Sequence, residues 1–107
     1  MSIYRNMYSR DAEYQRFETL KRNREKRAKQ GLFFLEGVHP VEQAILGGYD
    51  FYAIGINAEA RLSGWANDMI SKARPEIIFK MKPELHAELS DRDEGCELVC
   101  PSRKQAF

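Results

Sequence analysis

The feature that most constrains the fold is an alternation of short apolar runs with longer amphipathic segments, separated by Gly or Pro. Strands are expected where the apolar runs lie between these breakers, at 32–35, 52–56, 77–79 and 97–100. Helices are expected where apolar residues recur at helical spacing, at 10–29, 38–46, 58–73 and 83–89. This alternation predicts an α/β fold, a three-layer α/β/α sandwich around a small, mostly parallel or mixed sheet.

Several local patterns refine this prediction. The run at 32–35 is apolar throughout, which is typical of a central strand buried on both faces. Asp11 is placed to cap the first helix, and Gly31 to end it in a left-handed conformation. Gly55 indicates close packing or a bulge in the second strand. Three aromatic residues of the apolar segments are expected in the core, with base stacking as the alternative: Phe33, Phe34 and Trp65.

Length and composition limit the class of protein. The 107 residues suit one domain, and an apolar content of 43% suits a packed core rather than a disordered chain. No apolar run approaches the roughly 20 residues of a membrane span, and the N-terminal segment lacks the pattern of a secretory signal. Cys96 and Cys100 cannot form a disulfide framework, and no Cys/His set suits zinc. A reduced, cytoplasmic location is therefore expected.

The net charge of +1 conceals an asymmetry along the chain. Residues 1–30 hold nine basic and four acidic side chains, a net charge of +5, whereas 31–107 hold eight basic and twelve acidic ones, a net charge of −4. A basic element on a mildly acidic body favours a polyanionic partner such as nucleic acid. A long solvated helix rich in Lys and Arg would give the same composition, so charge alone leaves both interpretations open.

Catalytic chemistry has little support in these residues. Ser90, His86 and Asp91 supply the residue types of a nucleophilic triad, but no nucleophile elbow surrounds them. His86 lies in a short amphipathic segment and is expected to be a surface or internally hydrogen-bonded histidine. His39 follows a predicted strand end and is a candidate ligand contact, with capping or packing as the alternative. No phosphate-binding glycine loop occurs, and no catalytic, cofactor or metal site is expected in this chain.

A basic segment followed by a strand and a helix carries a family resemblance. Asn23-Arg24-Glu25-Lys26-Arg27 forms an N-R-x-K-R pattern, and Leu35-Glu36-Gly37 ends the next predicted strand. A helix of the form H-x-V-x-x-A follows, with the members His39, Val41 and Ala44. In this order the motifs resemble the opening of SpoU/TrmH-family RNA 2′-O-ribose methyltransferases.

The resemblance extends over about residues 12–100 of the chain. Leu89-Ser90-Asp91 matches an L-S-D turn that the family has before its final strand. The chain departs from many relatives at 92–96, where RDEGC stands in place of a Pro-Gln-Gly turn. The resemblance therefore assigns no role to that loop.

The resemblance implies that this chain is the RNA-substrate-binding domain of such an enzyme, in a fold similar to kink-turn-binding ribosomal proteins. The parent protein would transfer a methyl group from S-adenosylmethionine to ribosomal or transfer RNA through a catalytic domain beyond this chain, and would form a homodimer. The implied divisions are a basic N-terminal helix at 1–30, the α/β domain at 31–101 and a linker at 102–107. The alternatives are a free-standing kink-turn-type RNA-binding protein and a dimerisation or regulatory module.

The candidate RNA-binding residues are polar and basic side chains of the first helix and two residues after the next strand: Lys21, Arg22, Asn23, Arg24, Lys26, Arg27, Lys29, Gly37 and His39. Cationic side chains bind phosphates and orient RNA, and arginine also stacks on exposed bases. Asn23 is expected to bind a base edge or a ribose hydroxyl, and Gly37 to let RNA approach the backbone. Glu36 and Asp91 are expected to have structural roles in their loops, since a carboxylate facing phosphate would repel it.

Overall fold

The computed structural model describes residues 3–29, 31–90 and 97–103. They form three layers, a single sheet with helices on both of its faces. The helices of this part of the chain are α1 (Ala12–Arg22), α2 (Arg24–Lys29), α3 (Val38–Leu46), α4 (Gly64–Ala73) and α5 (Pro83–Leu89). The strands are β1 (Ile3–Met7), β2 (Leu32–Glu36), β3 (Asp50–Phe51), β4 (Ala53–Asn57), β5 (Ile77–Met81) and β6 (Val99–Arg103). Among the described residues, no helix has the length and apolar character needed to cross a membrane.

The sheet is mixed, as the sequence predicts. Its strands follow the order β1-β5-β4-β6-β2, and β3 also pairs with β6. Strands β1, β5 and β4 are parallel, whereas β6 runs antiparallel to β4, β3 and β2. The two edges are therefore β1 and β2. Helix α2 directly precedes β2 and contacts it, so α2 lies near the β2 edge of the sheet.

One face of the sheet is covered by α1 and α5. The helices contribute four buried side chains to this core: Tyr14, Phe17, Leu85 and Leu89. The sheet contributes five: Met7, Ala53, Phe79, Met81 and Val99. The rings of Phe17 and Phe79 meet edge to face, with centroids 5.5 Å apart and planes at 87°. This geometry is favourable for an aromatic pair and aligns α1 over β5.

The opposite face is covered by α3 and α4. Their buried side chains are Val41, Ala44, Ala66 and Met69, and those of the sheet include Ile54, Ile56, Ile78 and Cys100. Helices on both faces confirm the predicted three-layer sandwich. The bounds of α3 and α5 are those predicted, 38–46 and 83–89.

The two edge strands differ from the prediction. β2 is an edge strand rather than a central one, because β6 is its one strand partner in the described part of the chain, and Phe33 is 41% exposed. A short apolar run does not reveal how many strands flank it, and here the neighbours of β2 include α1 and α2 as well as β6. The sequence does not predict β1, because Met7 is the one buried side chain of that strand. Backbone pairing with β5 forms β1 instead.

The last strand spans Val99–Arg103 rather than the predicted 97–100. A strand through Pro101 is unexpected, because proline has no N–H to donate to a neighbour. The paired residues on either side of this proline show how it is accommodated: between them, the β3–β4 segment has one residue more than β6. Such a bulge interrupts the ladder beside Pro101, and bulges are among the places where strands accommodate proline.

Helix α4 begins at Gly64 rather than at residue 58. The Ser63 hydroxyl oxygen caps it by accepting the Ala66 N–H at 3.1 Å. Glu97 holds the cap in place, because its carboxylate accepts the backbone N–H of Ser63 at 2.8 Å and the Ser63 hydroxyl at 2.6 Å. A residue distant in sequence thus helps to set where the helix starts.

We expect Gly55→Ala to destabilise the fold by about 1–3 kcal/mol. A Cβ at this position would lie 2.6 Å from Met81 Cε and 2.7 Å from Val99 Cγ2, so both side chains would have to move. Met81 is flexible, but Val99 is buried and β-branched, which limits its rotation. Gly64→Ala is the matched control, since a Cβ there meets no described atom within 4 Å. Urea unfolding measures both variants, and equal stability would contradict the close approach at Gly55.

Candidate nucleic-acid interface

Helix α1 is fixed to α5 by a polar contact near its start. The Tyr14 hydroxyl donates to Glu88 Oε2 at 2.6 Å, and the Arg10 guanidinium pairs with the same carboxylate. Burial, and then the bond to Glu88, raises the pKa of Tyr14 to about 12. The hydrogen bonds from Tyr14 and Arg10 lower the pKa of Glu88. Asp11 caps the helix by accepting the Tyr14 N–H at 3.1 Å, which confirms the predicted cap.

The basic segment is two helices, so the prediction of one helix at 10–29 is wrong. Asn23 separates α1 from α2 with φ −112° and ψ 94°. Its backbone N–H ends α1 by donating to the Thr19 oxygen at 2.8 Å, and its side-chain Oδ1 starts α2 by accepting the Lys26 N–H at 3.0 Å. Asparagine interrupts helices because its side chain competes for backbone hydrogen bonds. Asn23 therefore has a structural role, and its contact with RNA stays a prediction.

Two of the predicted RNA-binding cations bind protein carbonyls. Lys21 Nζ donates to the Leu89 oxygen at 2.5 Å, which joins α1 to the end of α5. Arg27 Nη1 donates to the Leu20 oxygen at 3.2 Å, which joins α2 to α1. These bonds tie α1 to α5 and α2 to α1. Both side chains thus contribute to the architecture of the candidate interface.

The other predicted cations lie on the surface of the two helices. Lys26 and Lys29 are exposed on α2. Arg22 is exposed on α1 and lies 3.8 Å from Glu18, a surface pair that contributes little to stability. The Arg24 side chain is outside what the structure describes. Among the described side chains of α2, Lys26 and Lys29 are therefore the exposed cations.

Arg16, which is not among the predicted RNA-binding residues, lies near Lys26 because of the bend between the helices. A cleft of about 200 Å³ has Arg16, Lys26, Gln15 and Thr19 in its wall. The Arg16 guanidinium also lies 4.9 Å from the centre of the Tyr52 ring, within the range of a cation–π contact. A straight helix would separate Arg16 and Lys26 by about 15 Å along its axis. The sequence could have identified Arg16 only through its position on the polar face of α1.

The loop after β2 lies at the other end of that strand from α2. Gly37 has φ 89°, a left-handed conformation that suits glycine, and α3 begins at Val38. His39 is exposed in the first turn of α3, and Glu36 is partly buried opposite Val99 of β6. At the usual rise of a strand, β2 separates this loop from α2 by about 13 Å. The roles of Glu36, Gly37 and His39 stay predictions.

Two residues of the candidate triad, His86 and Ser90, lie in the described part of the chain. His86 is 6% exposed rather than at the surface, and its Nε2 has no hydrogen-bond partner in the described part of the chain. Burial lowers the pKa of His86, against the opposing effect of backbone groups of Glu97 and Gly55. Ser90 Oγ is likewise buried without a described partner. Asp91, predicted to structure its loop, lies outside the described residues.

Of the three aromatic residues predicted in the core, Phe33 is at the surface instead. Its ring centroid lies 5.6 Å from that of Tyr49, with the planes at 46°. Phe34 packs on the core beneath α1 and α5, and Trp65 packs on the other core while its Nε1 donates to Glu42 Oε1 at 2.8 Å. Neighbouring side chains of a strand point to opposite faces, and at this edge the face that carries Phe33 is less covered. The core prediction is therefore right for Phe34 and Trp65 and wrong for Phe33.

Most of this architecture coincides with a known sequence family. Residues 11–100 match the SpoU L30e-like domain. The chain belongs to the SpoU L30e-like domain family. The match runs from the cap of α1 into β6, so it includes the bent basic segment and the helices on both faces of the sheet. The family resemblance carried by the N-R-x-K-R and Glu-Gly motifs is thereby confirmed.

Relatives of this SpoU L30e-like domain are longer proteins. The 23S rRNA (uridine(2479)-2′-O)-methyltransferase of Streptomyces viridochromogenes is 33% identical over 91 residues, which is 85% of this chain and 31% of that protein. The crystal structure of the SpoU methyltransferase AviRb from Streptomyces viridochromogenes, in complex with the cofactor AdoMet, has a TM-score of 0.76 and 32% identity over 91% of this chain and 37% of that one.

A more distant structure supports the fold of the SpoU L30e-like domain. An rRNA methyltransferase from Sinorhizobium meliloti has a TM-score of 0.72 at 14% identity, covering 97% of this chain and 38% of that one. The chain therefore spans about a third of the length of these relatives.

We expect Tyr14→Phe to remove the late tyrosine ionisation of this SpoU L30e-like domain. The folded pKa of about 12 lies above the ordinary value of 10, so the unfolded side chain ionises first and stability falls as the pH rises from 10 to 12. The variant should lose one tyrosinate equivalent from the late absorbance step, together with its share of that fall. Ultraviolet titration and urea unfolding across this range measure both effects. Tyr8→Phe, which alters an exposed ring, is the control; the same change in it would refute the assignment.

We expect Asn23→Ala to lower the stability of α2 by about 1 kcal/mol, the usual contribution of an N-cap side chain. Removing Oδ1 leaves the Lys26 N–H without its capping acceptor. Amide hydrogen exchange of Lys26 should therefore be faster in the variant. Asn23→Ser keeps a capping oxygen and is the control. Equal exchange rates in the serine and alanine variants would show that the cap does not hold the start of α2.

Proposed function

We propose that this chain binds the RNA substrate of a SpoU-type ribose 2′-O-methyltransferase and positions it for an enzyme domain outside the chain. The observation that carries the proposal is the bent basic segment, which places Arg16 and Lys26 in one cleft of a domain of the SpoU L30e-like family. The Streptomyces viridochromogenes relative is a 23S rRNA methyltransferase by name. Ribosomal RNA is therefore the proposed substrate, in preference to transfer RNA.

The charges of the basic segment suit a phosphate backbone. Lys26 and Lys29 are exposed on α2, and Arg16 lines the adjoining cleft. Lysine and arginine contacts with phosphate supply affinity and orientation rather than sequence choice. The rest of the chain, with a net charge of −4, repels the same polyanion. RNA is therefore directed to the segment with a net charge of +5.

We propose that S-adenosylmethionine, the methyl donor implied by the family, binds outside this chain, because two clefts of the described residues offer its ribose no free carboxylate. A carboxylate side chain commonly binds the ribose hydroxyls of a nucleotide cofactor. In the cleft between α3 and α4, both acidic side chains are engaged, because Glu42 accepts from Trp65 and Asp68 pairs with Lys72 at 3.0 Å. The described wall of the cleft beside β2 has no acidic or amide side chain. We propose that the rest of the parent protein binds the methyl donor and supplies the catalytic groups.

The remaining features of the proposal come from the sequence and from the family resemblance. They are a cytoplasmic location, a homodimer formed through the parent protein, and division of the chain at 30/31 and 101/102. The described part of 1–30 nevertheless contributes β1 and α1 to the common sheet and core, and β6 extends to Arg103. We therefore propose that the basic segment is integral to the domain rather than a free arm.

We expect the double variant Lys26→Gln/Lys29→Gln to weaken RNA binding and to make it less dependent on salt. Each lost phosphate contact should reduce the slope of log K against log salt concentration by about one unit, because fewer counterions are released. Fluorescence anisotropy with a labelled 23S rRNA fragment, measured over a salt series, gives the slope. Glutamine keeps most of the length and helix propensity of lysine, so the fold should be preserved.

The matched control is Lys80→Gln/Lys82→Gln. These lysines are also exposed but lie in β5 and directly after it. This variant removes the same charge and should keep the slope of the unmodified chain. An unchanged slope in the α2 variant, or an equal change in both variants, would exclude the basic segment as the RNA-binding element.

A further inference from the structure

A second cleft lies at the edge of the sheet, between β2 and α2, and has a volume of about 440 Å³. Arg27 and Ala28 of α2 form one wall, and Gly31 with residues 32–35 forms the other. Among the described strands, β6 alone pairs with β2. Alternate backbone N–H and C=O groups of an edge strand point away from its partner, and the residues of β2 that line the cleft belong to such a strand. The cleft therefore combines apolar side chains with polar backbone groups.

Phe33 gives this cleft an aromatic wall. It is one of the large apolar side chains left exposed by the fold, at 41%. The Tyr49 ring supports it from the adjacent loop, at the centroid distance of 5.6 Å described above. A supported ring loses little conformational freedom when a flat ligand stacks on it. This arrangement suits a planar aromatic ligand better than an irregular aliphatic one.

The charge around the cleft favours an anionic ligand. Arg27 lines the cleft, and its bond to the Leu20 oxygen holds the guanidinium in place. Lys26 and Lys29 are exposed on the same short helix. An apolar segment of a protein partner would gain nothing from these cations. A ligand with both a planar ring and a phosphate would use the ring wall and the cations together.

We propose that the β2–α2 cleft binds an unpaired nucleotide of the RNA, with its base stacked on Phe33 and its phosphates directed to α2. This rests on the proposed function, to which it adds a preference for unpaired RNA. Single-stranded RNA exposes base faces and edges, whereas in a duplex both are occupied by stacking and pairing. Loss of one base–aromatic stack weakens binding by roughly 5- to 150-fold. The cations of α2 then supply the affinity that single-stranded and duplex RNA share.

Phe33→Leu tests this cleft directly. Leucine keeps an apolar side chain in β2 but has no ring face. We expect the variant to bind a labelled single-stranded oligoribonucleotide at least about five-fold more weakly. Its affinity for the same strand annealed to its complement should not change. Phe33→Trp keeps a ring face and should retain single-stranded binding, which separates stacking from damage to the fold.

Tyr4→Leu is the matched control, because Tyr4 is a 62% exposed aromatic residue in β1, the opposite edge strand. It should leave both affinities unchanged. Unchanged single-stranded affinity in Phe33→Leu, or an equal loss in the leucine and tryptophan variants, would overturn the base-binding cleft. The proposed function would survive that result if the unmodified chain still bound RNA with the salt dependence carried by Lys26 and Lys29. If the unmodified chain binds neither RNA, both proposals are overturned.

Discussion

The burial of one helical stripe decides where the basic segment of this domain lies. Three side chains of α1 are at most 1% exposed: Tyr14, Phe17 and Leu20. Burial of such side chains contributes about 1.5–3 kcal/mol each, far more than an exposed ion pair. Glu88 then fastens the start of the helix, and the Lys21 bond to a backbone carbonyl fastens its end. Helix α2 has no comparable stripe, so its position depends on this anchorage and on the Asn23 cap.

Cations that are neighbours in sequence have different roles in the folded chain. Lys21 and Arg27 satisfy carbonyls at helix ends, whereas Lys26 and Lys29 are exposed to solvent. The bend adds Arg16, which is outside the basic run, to the same surface. A charge count therefore identifies the basic element but not which of its side chains are exposed to solvent. This division is why the proposed tests use the α2 lysines rather than the whole run.

Periodicity predicted the helices whose limits depend on local signals. α3 begins after a glycine and ends at a glycine pair, and α5 begins at a proline, so both have their predicted bounds. Periodicity did not predict the limits of elements that depend on residues far away in the chain. Glu97 helps to set the start of α4 by binding Ser63, and pairing with β5 forms β1 from a mostly exposed sequence. The position of β2 along the chain was predicted, but its place at the edge of the sheet was not. A run of apolar residues does not indicate how many strands pair with it.

The sequence by itself determined the fold class, the basic segment and the motifs of the SpoU family, because each of these depends only on residue types and their spacing. Only the tertiary structure decided which of those residues share a surface. It placed Arg16 beside Lys26 and left Phe33 exposed beside α2, whereas the loop of Gly37 and His39 lies at the other end of β2. The physical reason is that these positions depend on strand order and on the angle between two helices. Strand order is set by contacts between residues far apart in the chain. The bend between the helices is set by side-chain hydrogen bonds of Asn23 and Arg27, which residue types alone do not reveal.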